Sequence, residues 1–489
     1  MNKQINPFKE SKSKKVRPTM YRAMKYWGKK PNDIWKNLIA EYSQEGSFIL
    51  DPFAGSNVSL FEGIRMGRHV LSVDINPLTS FITDVYSSAK YIDINDLKQD
   101  ALDIIEIVER SSLYKKNWVD KKSGEINNFI WIDGKILEGR VKDNHGNVIK
   151  VKPYYGNEQY NLGFIKEHDI FRKNISDFIS ISNSSLKKLG GKQLYNIWTE
   201  RNFNLLVKIF TTIRDSDIND NNKRALIFGF LQSTHLTTKM NALRSDKSRR
   251  PFSSSWGRPA YLGLSKFMEQ NPLIQFRRAI FGNAGLISAL ISVEQYIGNF
   301  TICHNIGKMN TNVVLNEDFL SMDSEKLNNT FDLALVDPPY GSIIQYGELS
   351  LVWNSWLITC YPYYKIDLNK EIIINKSHSR LDYESSMITA FAKISKLLKN
   401  KGNMVLTFNS SNMDDWGSLV RCLYKSNFFF IDIFHNKNKR SSEATVGTKT
   451  DTGTSDFYLI FSNEKECSKD NIYSIEKLNK IIGDVIGSK

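Results

Sequence analysis

At residues 331–340 the run FDLALVDPPY ends six mostly apolar positions in an aspartate, two prolines and a tyrosine. Proline cannot donate to a sheet ladder, so a turn that stops a strand accounts for the pair by itself. Three more acids follow apolar runs in the same way: Asp51 in FILDPFAGS, Asp74 in HVLSVDINPL and Asp318 in NVVLNEDF. Each has an ordinary use alone, Asp51 as a helix cap, Asp74 as the opening of a turn before Pro77, Asp318 as surface decoration. Together they fit a ligand held at the carboxyl ends of strands. The small residues of AGS let a ligand approach backbone closely, and an acid one strand over is placed to accept hydrogen bonds from ribose hydroxyls. The GxGxxG spacing of a dinucleotide site is absent, which points to a nucleoside without phosphates.

These residues need strands and helices to position them. NDIWKNLIAEY (32–42) puts Ile34, Leu38 and Ile39 on one helical face. FIL predicts a buried strand, NVSLFEGIRMG a helix stopped at Gly67, and HVLSVDIN a second strand, which together make a βαβ unit of an open parallel sheet. The rhythm breaks after Pro77. Helical stretches such as 197–215 and a hairpin-like region at 128–155, punctuated by DG and NHG, follow before NVVLNEDFL and FDLALVDPPY resume the α/β pattern. MITAFAKISKLLKNKG then predicts a helix, and NMVLTFN, FFFIDIF and FYLIFS predict strands. The expected fold class is α/β: one nucleotide-binding-type sheet, mostly parallel with a C-terminal antiparallel hairpin, interrupted by a long, mainly helical insertion.

Composition is that of a folded protein, 41% hydrophobic and 12% aromatic over 489 residues. A formal charge of +14 favours a polyanionic partner. The cysteines, Cys303, Cys360, Cys422 and Cys467, form no CxxC or Cys/His pair, so no structural metal and no disulfide framework is expected, and a reducing cytoplasm is the simplest setting. The opening MNKQINPFKESKSKKVRP has no apolar core of a leader, and no run of 18 apolar residues marks a membrane span, so a soluble, unprocessed chain is expected.

DPFAGS, VDINPL and DPPYG together resemble S-adenosylmethionine-dependent amino-methyltransferases acting on exocyclic nitrogens of bases, most of them DNA N6-adenine or N4-cytosine enzymes. DPPYGSIIQYGELSLVWNSWL is similar to a group of adenine-specific DNA methylases with DPPY, a spacer, Y-x-E-L-S and a downstream W-L. The likeness covers residues 21–80 and 312–463. It implies a Rossmann-like class I methyltransferase sheet, S-adenosylmethionine as methyl donor and double-stranded DNA as partner. By the resemblance, Asp51, Pro52, Phe53, Ala54 and Gly55 form the donor-binding loop, Asp74 with Ile75 takes the ribose, and Asp318 meets the donor's adenine amino group beside Phe319. YWGKKP, with Lys30 and Pro31, resembles the element closing over the methionine end. Asn57 stands where glycine is customary. Asp337 and the carbonyl of Pro338 accept the two N–H bonds of the target amine, Pro338 and Pro339 hold them rigid, and Tyr340 offers a face for a flipped base. Tyr346 and Glu348 either contact substrate or cap and pack a helix.

The stretch 239–278 holds nine Lys/Arg against Asp246 and Glu269, nine minus two giving +7, half of the chain's excess. Lys239, Arg244, Arg249, Arg250, Trp256 and Arg258 are its candidate nucleic-acid contacts, the alternative being a solvated basic face. The layout divides the chain into a donor-binding half with an N-terminal arm (1–79), an inserted target-recognition region (80–310) and a catalytic half (311–489). Three readings stay open beside an adenine-N6 DNA methyltransferase: an RNA amino-methyltransferase acting on guanine N2, a cytosine-N4 enzyme, and a non-enzymatic nucleic-acid binder. With no nuclease motif, restriction activity would belong to a separate restriction or defence subunit.

Overall fold

Runs such as FIL, HVLSV, FDLALV and MVLTF hold almost no polar residue because strands covered on both faces have no solvent side to mark. In the computed structural model they are the inner strands of one sheet. The structure describes residues 17–23, 26–143, 145–152, 171, 193–243, 252–253, 263–307, 311–342, 344–410, 413–426, 428–437 and 455–463.

The described chain opens with α1 (Thr19–Ala23) and α2 (Asn32–Tyr42), then β1 (Phe48–Asp51), α3 (Val58–Arg65), β2 (His69–Val73) and α4 (Pro77–Ser87). Next come α5 (Ile94–Arg110), α6 (Ser112–Trp118), β3 (Val119–Asp120), β4 (Gly124–Ile132), β5 (Lys135–Lys142) and β6 (Val148–Val151). They are followed by α7 (Glu200–Arg214), α8 (Asp220–Thr234), β7 (Asn241–Ala242), β8 (Phe252–Ser253), β9 (Lys266–Gln270), α9 (Pro272–Phe281) and α10 (Leu286–Tyr296). The remainder holds β10 (Ile302–Cys303), β11 (Asn312–Leu315), β12 (Phe331–Val336), α11 (Tyr346–Cys360), α12 (Arg380–Leu397), β13 (Leu398–Phe408), α13 (Met413–Tyr424), β14 (Phe429–Lys437) and β15 (Ser455–Ser462).

Among the described residues the main sheet has eight strands in the order β10-β11-β2-β1-β12-β13-β15-β14. Neighbours from β10 to β13 are parallel, and β15 runs antiparallel to both β13 and β14. The chain lays β2 and β11 on one side of β1 and β12 and β13 on the other, so strand order reverses between β1 and β12. Their register pairs Ile49 with Leu333 and Leu50 with Ala334. Asp51 and Asp337 therefore stand at adjacent strand ends flanking a crevice, where open α/β sheets place ligands.

Alternate residues divide between two cores, as the period of a strand requires. Ile49, Val70, Val314, Leu333, Leu335 and Val405 pack in a core with α2, α3, α4 and α11. Leu50, Leu71, Val313, Ala334, Val336 and Leu406 pack in a second core with α12 and α13. The first core continues into α7 and α8, where Trp356 meets Phe203, Phe210 and Phe230 at ring distances of 5.6, 5.4 and 5.2 Å. The helix following the proline turn is thus clamped between the sheet and the intervening segment.

That segment is mainly helical among the described residues, as expected, but its strands go beyond the expected hairpin. Besides α5 to α10 it holds, among the described residues, a second sheet of seven strands, β6-β5-β4-β9-β7-β8 with β3 on β4, all antiparallel. The DG turn is visible in sequence, and Asp133 and Gly134 take positive φ angles of 48° and 80°. The pairing of β4 with β9, Asn128 opposite Gln270, is not visible, since no local pattern records so distant a partner. The helix α4 runs through residue 80, and β10 joins the main sheet at 302–303. Among the described residues no helix is long and apolar enough to cross a membrane, and no group of three or more His, Cys, Asp or Glu could hold a metal ion.

Candidate active site

The loop after β1 is closed by its own first residue. Asp51 Oδ1 accepts the Phe53 N–H at 3.2 Å and Oδ2 accepts the Ser59 hydroxyl, which ties the loop to the first turn of α3. Burial pushes the Asp51 carboxyl up to about 7, against both hydrogen bonds. Asp74, after β2, reaches across: Oδ2 accepts the Gly55 N–H at 2.6 Å and Oδ1 the Asn76 N–H at 2.7 Å, while burial lifts its carboxyl to about 6. Asn57 occupies the left-handed region, φ 54°, where glycine is customary in the resembling enzymes. Its amide compensates by donating to the Thr79 carbonyl at 3.2 Å and to Thr83 Oγ1 at 2.6 Å. Asparagine tolerates this conformation better than most side chains.

The turn after β12 is built around Asp337. Its Oδ1 accepts from the Tyr340 hydroxyl at 2.7 Å and from the Thr407 hydroxyl at the end of β13. The Pro339 carbonyl accepts from the Tyr383 hydroxyl at 2.9 Å and from the Gly341 N–H at 3.2 Å, which pins the turn to α12. Lys30 enters from the segment before α2. Its Nζ donates to the Tyr340 hydroxyl at 2.6 Å and lies 3.3 Å from Asp337 Oδ1 and 3.8 Å from Asp456 Oδ1. Burial works against the ammonium, but Asp337 and then Asp456 outweigh it and hold its pKa above the ordinary lysine value.

Both loops open on one cleft of about 1100 Å³, open to solvent. Asp51, Pro52, Phe53, Ala54 and Gly55 line it, as do Asp74 and Ile75. Asp318 and Phe319 line it too, with the Phe319 ring 6.3 Å from that of Phe53. Asp318 also caps its own turn, accepting from the Leu320 and Ser321 N–H groups at 3.0 and 3.2 Å. Lys30, Asp337, Pro339 and Tyr346 complete the expected set on the wall, while Pro31 and Pro338 do not line it.

Three residues sit otherwise than expected. Tyr340 is not a face presented to the cleft: its ring is buried edge-on against Phe408 at 5.1 Å and its hydroxyl is spent on Asp337. The aromatic that lines the cleft beside Asp337 is Tyr346, packed against Gly28, where a Cβ would come within 3.3 Å of its hydroxyl. Lys30 meets the Asp337 carboxylate, a contact the resemblance to a methionine-end element does not include. Lys239 is half-buried, and burial pulls its ammonium down to about 8 against the attraction of Glu269, so it is not a free surface cation. Arg277, from the same basic stretch, is held by Glu125 at 2.8 Å. Arg244, Arg249, Arg250, Trp256 and Arg258 lie outside the described residues.

Sequence reasoning missed Thr407, Asp456 and Glu371, while Tyr26, the first residue of YWGKKP, lines the cleft with Lys30. Thr407 was within reach, because it stands at the end of the apolar run NMVLTF as the acids do at the ends of theirs. Glu371 follows no apolar run and carries no such mark.

A family model described as DNA methylase matches residues 2–80, the stretch that carries Lys30, the loop after β1 and Asp74. The match spans 79 of the 489 residues, and over that stretch the chain is similar to DNA methylases. A search of curated proteins returned no match.

Proposed function

We propose that the protein is a site-specific DNA methyltransferase that transfers a methyl group from S-adenosylmethionine to the exocyclic N6 amine of an adenine flipped out of duplex DNA. One observation carries this reading: Asp337 and its proline turn share a single cleft with the DPFAG loop and Asp74, at the point where strand order reverses. The strand order, with one antiparallel strand near the edge, supports a Rossmann-like class I methyltransferase sheet.

The cleft suits the donor. Its acids, Asp51, Asp74, Asp318 and Asp337, favour a cationic ligand bearing hydroxyl and amino hydrogens, and Phe53 and Phe319 supply an apolar wall. When bound, S-adenosylmethionine supplies an electrophilic methyl on a sulfonium. The chain's part lies at the amine, whose lone pair is delocalised into the purine ring. Asp337 and the Pro338 carbonyl accept its two N–H bonds, which frees the lone pair for attack, and the rigid turn makes this placement before the amine arrives. Tyr383 on the Pro339 carbonyl and Tyr340 with Thr407 on Asp337 provide that rigidity. Residues 80–310 are the region we assign to reading the duplex, and a cytoplasmic setting accords with the cysteine pattern.

Methyl transfer from labelled donor onto unmodified duplex DNA and onto tRNA or rRNA, followed by nucleoside analysis, tests the reading. Label in N6-methyladenine of DNA is expected; label in N4-methylcytosine or in RNA N2-methylguanine would replace the adenine assignment. Asp337→Ala should lower turnover by about 10²–10³ while donor binding persists. Turnover at the wild-type rate would remove Asp337 from the chemistry.

A further inference from the structure

The link between α11 and α12 enters the cleft at Ile366–Ile372 and brings a carboxylate that the reading above does not use. Glu371 is only 7% exposed, yet it lines the cleft. Its Oε1 accepts the Gly347 N–H at 2.9 Å, which fixes the side chain on the first turn of α11. Its Oε2 is buried and has no hydrogen-bond partner among the described residues. A second lining residue, Asn354, repeats the pattern: its amide nitrogen is spent on Asn76 at 2.9 Å and its buried Oδ1 has no partner among the described residues. Both orphan atoms are acceptors, and a buried acceptor left without a donor is destabilising, so what completes them carries O–H or N–H groups.

Asp74 makes the comparison. Both of its oxygens already take a backbone N–H, from Gly55 and Asn76, whereas Glu371 holds one oxygen in reserve. The two carboxyls are close enough to feel each other's charge. Burial first, then Glu348 and Asp74, lift the Glu371 carboxyl to about 8. The backbone N–H groups of Tyr346 and Gly347 both act on this carboxyl, and Oε2 is still left without a hydrogen-bond partner among the described residues.

We propose that Glu371 is a binding residue for the methyl donor, its Oε2 accepting a hydrogen bond from a ribose hydroxyl or from the α-ammonium group of S-adenosylmethionine. The assignment rests on the methyl-donor reading of the cleft. Glu371→Gln is the informative variant, because the glutamine carbonyl still receives the Gly347 N–H while an NH2 replaces Oε2. Calorimetry with S-adenosylhomocysteine at pH 8.5, above the carboxyl's value of about 8 so that it is mostly ionised, should show affinity reduced by about 10- to 100-fold, the range for a hydrogen bond to a charged group, with the melting midpoint of the free protein unchanged. Titration with 5′-methylthioadenosine, which keeps the ribose and lacks the amino acid, separates the sources: an equal loss assigns the hydroxyl, an unchanged affinity the ammonium. Wild-type affinity of the variant for S-adenosylhomocysteine overturns the role of Glu371 alone. Failure of the wild-type protein to bind S-adenosylhomocysteine overturns the methyl-donor reading, and this assignment with it.

Discussion

Lys30 Nζ lies 3.3 Å from Asp337 Oδ1, and the same ammonium donates to the hydroxyl of Tyr340, 310 positions away in the chain. The contact joins the segment before α2 to the turn after β12 and places a cation among carboxylates that would otherwise repel. Lys30→Met should cost about 3 kcal/mol of stability, the low end for breaking a buried ion pair, since Asp337 is partly exposed. Because the folded-state pKa is raised, this contribution is fully present below the ordinary lysine value and is lost only as pH rises beyond it. Urea titrations at pH 6 and pH 8 should therefore give the same deficit; a variant as stable as the wild type would show that the ion pair secures nothing.

Asn57 is predicted to tolerate glycine better than alanine. Glycine removes the strain of φ 54° but forfeits the bonds to Thr79 and Thr83, whereas alanine loses the bonds and keeps the strain. Asn57→Ala should cost about 2–3 kcal/mol and Asn57→Gly about 1 kcal/mol less, read from denaturant midpoints. The reverse order would show that the left-handed backbone at residue 57 carries no strain.

His304 makes part of the fold pH-sensitive. Its Nδ1 faces the Val314 carbonyl and its Nε2 faces Asp84, each at 2.9 Å. Both partners are acceptors, so the protonated ring is the form that satisfies both contacts. The hydrogen bond to Asp84 raises its pKa above the ordinary histidine value, against partial burial. A raised folded-state pKa contributes stability below about pH 6.5 that is lost as pH climbs through the folded value. Melting curves between pH 6 and 9 should show this loss in the wild type and not in His304→Gln.

Donor affinity should rise with pH. Burial holds Asp51 at about 7 and Asp74 at about 6, so both are largely protonated at pH 5.5 and ionised at pH 8. Ionised carboxylates accept hydrogen bonds from a cationic ligand more strongly. Calorimetry with S-adenosylmethionine at the two values should find tighter binding at pH 8, and Asp74→Asn should flatten the difference. For folding alone the sign is opposite: these raised pKa values favour the folded state at low pH, and that advantage disappears as pH rises from about 4 through 6 to 7.

The legible part of the site consists of groups placed by local rules. Asp51, Asp74 and Asp337 were found because each ends an apolar run, and a run covered on both faces is a strand wherever it sits. The roles of Tyr340 and Tyr346 were assigned by motif rather than by surroundings, and the structure distinguishes them by burial: one ring is against Phe408, the other lines the cleft. The second sheet escaped for the same reason as Glu371. Both depend on partners far along the chain, Asn128 with Gln270 and Glu371 with Gly347 beside Asp74.

Short-range patterns were enough to set the strands and their closing acids, because burial on two faces and a rigid proline turn act within a few residues. Only the tertiary structure decided which groups meet. Lys30 reaches Asp337, and Glu371 reaches the cleft with one oxygen in reserve, because the order of strands and the clamping of α11 bring together residues whose spacing along the chain carries no trace of the contact.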